Sequence, residues 1–156
     1  MVGRTVYEVE PAMKHFKLTT TLFLLFLLGG LEITAQQKSR WLPYEPATVE
    51  LEGRLTVQSK YGPPNFGENP KTDAKVKVPV LVLLTLINVR GTPGDAHNAI
   101  SVRGVRRIQL IFSNPKTPYK ESTGKIVVVK GTLFHAFSGH HYTKVVMDVS
   151  SIGAKP

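Results

Sequence analysis

A strand pattern interrupted by glycine occurs twice in the chain. The apolar positions of the two copies match in type and spacing, with glycine third in each: Val49, Leu51, Gly53 and Leu55, then Val127, Val129, Gly131 and Leu133. Alternation of this kind predicts a strand that buries one face and exposes the other. A glycine inside such a strand is typical of a bulge or of a tight bend at the corner of a small barrel. We therefore expect barrel corners at Gly53 and Gly131.

Three more segments have strand character, and none has the periodicity of a long helix. The five predicted strands cover residues 49–58, 75–84, 105–112, 126–134 and 143–149. Residues 117–124 lie between the third and fourth strands, begin with Thr-Pro and end at glycine, which predicts a helix of one or two turns. These elements predict an all-β fold, namely an OB-like five-stranded barrel with one short helix. A small β-sandwich is the alternative.

Length and composition fit one folded domain. The chain has 156 residues, of which 42% are hydrophobic, and it has no cysteine. That length has room for one modest domain with its own core. The lack of cysteine excludes a disulfide framework and a thiolate metal site.

Residues 13–35 have the layout of a secretory signal peptide. They combine a basic start, an apolar run from Leu18 through Leu28, and the small residue Ala35 at the end. This order predicts cleavage after Ala35, with Gln36 as the mature N-terminus.

The predicted organisation of the chain follows from that segment. Residues 1–12 fit no part of a signal peptide, so we interpret them as a gene-model extension, and residues 36–156 form the single OB-like domain. We expect an exported protein, either periplasmic or secreted. The alternative is a membrane anchor through residues 18–31, although about 20 consecutive apolar residues are needed to span a bilayer.

The charge of the chain is strongly positive. Twenty Lys and Arg residues against eleven Asp and Glu residues give a net charge of +9. Residues 1–35 hold three charges of each sign, so the whole excess belongs to the predicted mature domain. Such a charge favours anionic partners. For an exported domain we expect an anionic envelope polymer or another exported protein rather than nucleic acid.

Three histidines lie in the segment that joins the fourth and fifth predicted strands: His135, His140 and His141. Strand parity places His135 and His141 on the inner side at one barrel end, where cross-strand Cβ atoms are roughly 5 Å apart. The favoured interpretation is that these imidazoles satisfy buried polar groups and that the protein has no cofactor. The alternative is a metal site built from the three histidines, for a divalent transition metal such as zinc or copper.

Two loops carry aromatic residues where OB-folds hold their ligands. The candidate ligand-binding residues are Tyr61, Asn65 and Phe66 between the first two strands, and Phe137 and Tyr142 in the histidine segment. Aromatic rings stack on ligands, and nearby basic residues neutralise charge. The competing interpretation is that the aromatic rings plug the barrel ends. The loop at residues 90–101 is expected to be a surface connection only.

Signatures of catalysis are missing from the sequence. Ser138 has no nucleophile elbow, carboxylates are scattered singly, and no glycine-rich stretch has the spacing of a phosphate loop. We therefore name no catalytic residue and expect a small non-enzymatic binding or structural module. The alternative is a metal-binding protein or a metal-dependent enzyme that uses the histidines.

Three stretches resemble an exported bacterial family catalogued as domain of unknown function 4431. They are YEPA at residues 44–47, YGPPNF at residues 61–66, and GTLFHA at residues 131–136 followed by SGHHYT at residues 138–143. The last is similar to the family motif GTLFHAxTGHHHT. The resemblance extends over nearly the whole predicted mature chain and implies no established activity.

Two departures from the family pattern matter. Tyr142 replaces the last histidine of the motif and Ser138 its threonine, so a three-histidine site would have to use His135. The resemblance also implies cysteines near Trp41 and Asn88, consistent with a bridge, and this chain has neither. Its N-terminal segment would then be held by the packing of Trp41 and Tyr44.

Overall fold

The computed structural model describes residues 3, 40–113 and 119–155. Their regular elements are six strands and one turn of 3₁₀ helix at Lys120–Ser122. The strands are β1 (Arg40–Pro43), β2 (Thr48–Tyr61), β3 (Lys75–Arg90), β4 (Val102–Ile111), β5 (Ile126–His135) and β6 (Val145–Ala154). All six lie in the compact unit Lys38–Pro156. The predicted all-β class is confirmed.

Five of the strands form a closed ring of backbone hydrogen bonds. β2 pairs antiparallel with β3 and with β5, and β5 pairs antiparallel with β6. β6 then pairs parallel with β4, and β4 returns antiparallel to β3. A sheet that closes on itself in this way is barrel-like. This is the pairing that the predicted OB-like five-stranded barrel requires, and a small β-sandwich would correspond to the same ring flattened.

The bounds of the elements differ from the predicted ones. β3 continues to Arg90, whereas the sequence predicted that it ends at Leu84. The prediction was too short because the register of β3 against β4 shifts in this region, where Leu84 and Leu86 are exposed and the alternation is interrupted. The predicted helix is a single 3₁₀ turn, and its expected threonine cap and the proline after it lie outside the described residues. Among the described residues, no helix is long and apolar enough to cross a membrane. The predicted signal peptide, at residues 13–35, and the alternative anchor, at residues 18–31, also lie outside it.

Both strand glycines stand where the backbone of a neighbouring strand leaves no room for a side chain. At Gly53, β2 pairs with both β5 and β3, and an added Cβ would lie 2.5 Å from the carbonyl oxygen of Val82. At Gly131, beside a register shift between β5 and β6, an added Cβ would lie 2.0 Å from the carbonyl oxygen of Asp148. The structure therefore gives both positions the close approach expected of strand corners.

The core of the ring is apolar and completely buried. Every ring strand contributes side chains with no exposed surface, including Leu55, Leu81, Ile108, Val127, Leu133 and Met147. Burying a side chain of this size stabilises the fold by about 1.5–3 kcal/mol. The wall of the barrel is thus a rigid support for the loops at its ends.

Strand β1 was not predicted, because four residues are too few to show a period. It pairs parallel with the end of β3 and places Trp41 opposite Asn88, the two positions near which the family resemblance implies cysteines. The guanidinium groups of Arg90 and Arg103 lie 5.7 and 5.5 Å from the Trp41 ring centre. Tyr44 is buried, and its burial raises its pKa to about 12. A backbone ladder and the packing of Trp41 and Tyr44 hold the N-terminal segment.

Candidate functional site

Three loops meet at one end of the barrel: the β2–β3 loop at residues 62–74, the β3–β4 loop at residues 91–101, and the β5–β6 hairpin at residues 136–144. We call this surface the loop end. The hairpin lies between the other two loops, because Phe137 stacks on His97 on one side and His140 contacts Phe66 on the other. The two loops predicted to carry the site are thus brought together.

Gln109 of β4 attaches the hairpin to the barrel wall. Its buried side chain donates a hydrogen bond to the carbonyl oxygen of His140 over 2.9 Å and accepts one from the backbone N–H of Tyr142 over 2.6 Å. Its own backbone N–H donates to the hydroxyl of Thr143 over 2.8 Å. Three bonds to His140, Tyr142 and Thr143 fix the course of the hairpin. An amide between the apolar residues Ile108 and Leu110 was the sequence signal that could have revealed this role.

The β2–β3 loop is organised around the carboxylate of Asp73. This group accepts hydrogen bonds from the backbone N–H groups of Asn65, Gly67 and Asn69 and from the side-chain amide of Asn65. Burial by itself raises the pKa of Asp73, but these hydrogen bonds outweigh it and hold the pKa below its ordinary value. Asn65, predicted to bind ligand, therefore has its side chain on Asp73, and no sequence pattern had marked Asp73.

Phe66 joins the β2–β3 loop to the hairpin. Its ring centre lies 4.8 Å from that of His140, edge to face, and a Cβ added at Gly139 would lie 3.1 Å from the Phe66 ring. The backbone of Gly139 is not left-handed, so the restriction at this position comes from contact with Phe66. A second link joins the predicted site residues, because the Tyr142 hydroxyl donates to the carbonyl oxygen of Tyr61 over 2.8 Å.

Phe137 is held in place although 58% of it is exposed. Its ring stacks on His97 at 4.6 Å and meets the edge of His141 at 4.7 Å. Its backbone N–H donates to Nδ1 of His141 over 3.1 Å. Burial lowers the pKa of His141, and the neighbouring charge of His140 lowers it further. Both effects favour the neutral imidazole that this hydrogen bond requires.

The β3–β4 loop is part of the loop end, so its interpretation as a mere surface connection is wrong. Asn98 is buried; its side-chain amide donates to the carboxylate of Glu45 over 3.2 Å, and its Oδ1 accepts from the backbone N–H of His135 over 2.8 Å. The carboxylate of Asp95 accepts hydrogen bonds from the backbone N–H groups of Asn98 and His97, which lower its pKa. These bonds position His97 beneath Phe137.

His135 and His141 are not opposite each other, which corrects the expected cross-strand pairing. His135 pairs with Val145, whereas His141 lies in the hairpin before β6 begins. The prediction failed because the pairing of β5 with β6 ends at His135 and Val145, so that His141 lies in the connecting loop and not on a paired strand. The Nδ1 atom of His135 lies 2.9 Å from the carbonyl oxygen of Ala136, and its ring faces Tyr44 edge-on at 6.4 Å.

The three histidines therefore have different surroundings. His140 is exposed beside Phe66, while His135 and His141 are half-buried. In residues 40–113 and 119–155 no three side chains of His, Asp or Glu are grouped in a way that could hold a metal ion. Metal binding through His141 by Nδ1 would require breaking its bond to the N–H of Phe137. The metal hypothesis remains a prediction, and its test is given below.

A family model matches part of the chain. The model of a domain of unknown function, DUF4431, matches residues 107–153, which include the second half of β4, the 3₁₀ turn, β5, the hairpin and most of β6. The match contains the GTLFHA and SGHHYT stretches, whereas residues 44–47 and 61–66 lie outside it. No curated protein and no solved structure matches the chain. Over residues 107–153, the chain is therefore similar to the DUF4431 family.

Proposed function

We propose that the protein is an exported, non-enzymatic binding module that contacts its ligand with the loop end. The observation that carries the proposal is the state of Phe137, a large apolar side chain that is 58% exposed and yet held by His97, Phe134 and His141. An exposed ring that is already ordered loses little conformational entropy when a ligand covers it. Preorganised aromatic residues of this kind are typical of binding surfaces.

The backbone at Phe66 supports the same proposal. Phe66 has a φ of 53°, in the left-handed region that residues other than glycine seldom adopt. Such a conformation costs on the order of 1–3 kcal/mol and is concentrated at functional sites. The hydrogen bonds of Asp73 to Asn65 and Gly67, on either side of Phe66, hold it there.

The ligand class that fits these features is an acidic polysaccharide of the cell envelope. Ring faces of sugars pack on exposed aromatic side chains, and the net charge of +9 attracts acidic groups. Aromatic contacts of Phe137 and His97 would supply the orientation, while the positive charge would raise the rate of encounter.

Affinity electrophoresis in gels that contain alginate, a polyuronate, tests the proposed function. We expect the protein to be retarded and Phe137→Ala to weaken the interaction about tenfold, as loss of a central aromatic contact usually does. Leu84→Ala is the matched control, because Leu84 is 51% exposed on β3, outside the loop end. Retardation that survives both Phe137→Ala and His97→Ala would refute the assignment of the surface, and no retardation of the wild type would refute the ligand class.

Export has its own test. Mass spectrometry of the protein recovered outside the cytoplasm should give a chain that begins at Gln36. A membrane-retained chain that still contains residues 18–31 would contradict export by a cleaved signal peptide and support the anchor.

A further inference from the structure

A cavity lies on the side of the barrel where β4 and β6 separate. The two strands pair only between residues 109–111 and 146–148. Before that pairing, residues 102–107 of β4 and residues 143–145 border a cavity of about 290 Å³. We call it the β4 cleft. It uses none of the aromatic residues of the loop end.

The residues that line the β4 cleft include four cationic residues and no acidic one: Arg103, Arg106, Arg107 and Lys144. Within the described parts of the chain, no carboxylate oxygen lies within 4 Å of any of these cations. The ion pair in those parts joins Lys155 and Glu52, which do not line the cleft. Like charges gathered without counter-charges repel one another and attract anions. The cleft therefore favours an anion.

Two of the four cations are held in position by uncharged groups. One guanidinium nitrogen of Arg106 donates to the carbonyl oxygen of Leu83 over 3.2 Å, and Arg103 lies over the ring of Trp41. The side chains of Arg107 and Lys144 make no hydrogen bond or ion pair within residues 40–113 and 119–155. The cleft thus combines two positioned arginines with two cations whose donors are unused.

We propose that the β4 cleft binds a tetrahedral oxyanion of the phosphate class. A guanidinium fork fits the oxygens of such a group, and four cations favour an anion that carries more than one negative charge. A water molecule occupies about 30 Å³ in the liquid. A cleft of about 290 Å³ therefore accepts a phosphate together with part of the group that bears it.

Isothermal titration calorimetry at low salt, with inorganic pyrophosphate as the probe and acetate as the monovalent comparison, tests the proposal. We expect binding of pyrophosphate that weakens as salt rises, and none of acetate. Arg107→Gln and Lys144→Gln should each reduce the affinity about tenfold. Lys130→Gln is the matched control, since Lys130 is an exposed cation of β5 that does not line the cleft.

The outcomes separate this proposal from that of the loop end. Phe137→Ala should leave pyrophosphate binding unchanged, while Arg107→Lys, which keeps the charge and loses the fork, should give an intermediate affinity. All these side chains are exposed, and thermal midpoints without pyrophosphate check that the variants fold. Pyrophosphate binding that is equal in the wild type and in the Arg107→Gln, Lys144→Gln double variant would overturn the proposal, as would equal affinity for acetate.

Discussion

The wall of the barrel and its loop end are stabilised in different ways. The wall consists of apolar side chains such as Leu55 and Leu133, which are completely buried and contribute in proportion to area. The loop end is held by a few buried polar groups, above all Gln109, Asp73 and Asn98, each bonded to named backbone atoms. An apolar core tolerates the substitution of one apolar side chain by another of similar volume. Removing one partner of a buried hydrogen bond instead leaves the other polar group unpaired, which costs stability. We therefore expect the wall to fail through steric conflict and the loop end through unpaired polar groups.

The largest effect should come from a side chain placed at a corner of the wall. Gly131→Val puts a Cβ 2.0 Å from the carbonyl oxygen of Asp148, so β5 and β6 must move apart, at a cost of about 3 kcal/mol. Gly53→Val, at 2.5 Å from a backbone oxygen, should cost somewhat less. Urea unfolding measures both losses. Gly153→Ala in β6 is the control, because no atom lies within 4 Å of its added Cβ; unchanged midpoints for both valine variants would show that the strands are not bent at these glycines.

Removing the amide of Gln109 tests, again by urea unfolding, whether this side chain holds the hairpin of the loop end. Gln109→Leu keeps the volume but leaves the carbonyl oxygen of His140 and the N–H of Tyr142 without their partner, which should cost about 2 kcal/mol. The Tyr142 amide should also exchange its hydrogen faster, as NMR would detect. Gln58→Leu, at a half-buried position of β2, should change stability little. A Gln109→Leu protein with wild-type stability and exchange would mean that the hairpin is held by other contacts.

Substitution of the histidines distinguishes a structural role of these residues from a metal site. If His135 is structural, His135→Ala should lower stability by about 1 kcal/mol without any added metal, because its ring packs on Tyr44 and bonds to Ala136. Thermal unfolding with and without zinc or copper measures this effect, and elemental analysis of the purified protein shows whether metal is retained. A metal-induced rise in the melting temperature that disappears in both His135→Ala and His141→Ala, but survives in His97→Ala, would instead establish the metal site.

The smallest expected effect is a change in the response to acid. The pKa of Asp73 is lower in the folded protein than in the unfolded chain, so its stabilising contribution is present above about pH 4 and is lost as pH falls through the lowered value. Asp73→Asn should flatten this part of the stability profile, measured by urea unfolding from pH 6 downward. Asp95 has the same direction of shift and contributes to the remaining slope. Glu68→Gln, at an exposed position of the same loop, should leave the stability profile unchanged. If stability falls with pH equally in Asp73→Asn and in the wild type, Asp73 does not cause the loss of stability in acid.

Much of the wall was predictable because its order is local. Alternation with period two located β2 and β5, and the glycines at positions 53 and 131 marked the close approaches that the structure shows. Strand β1 escaped prediction because it is short and is defined by pairing with β3, and β3 was predicted too short because a register shift breaks its alternation.

The candidate site was predictable only in part. Aromatic and histidine side chains identified the β2–β3 loop and the hairpin, and the structure brings them into contact through Phe66 and His140. The third loop was missed, because its attachment depends on Asn98, whose partners Glu45 and His135 are distant in the chain. A hydrogen bond between residues so far apart in the chain leaves no periodic pattern in the sequence.

By itself, the sequence determined the strand segments, the corner glycines, the excess of positive charge and the family motif, since each depends on residue type and spacing within a short stretch. Only the tertiary structure decided that His141 is not opposite His135, that Asp73 and Gln109 hold the loops, and that Arg103, Arg106, Arg107 and Lys144 surround one cleft. The physical reason is that strand pairing, register shifts and loop closure bring together residues that are far apart in the chain. Hydrogen bonds and charge clusters depend on those distances.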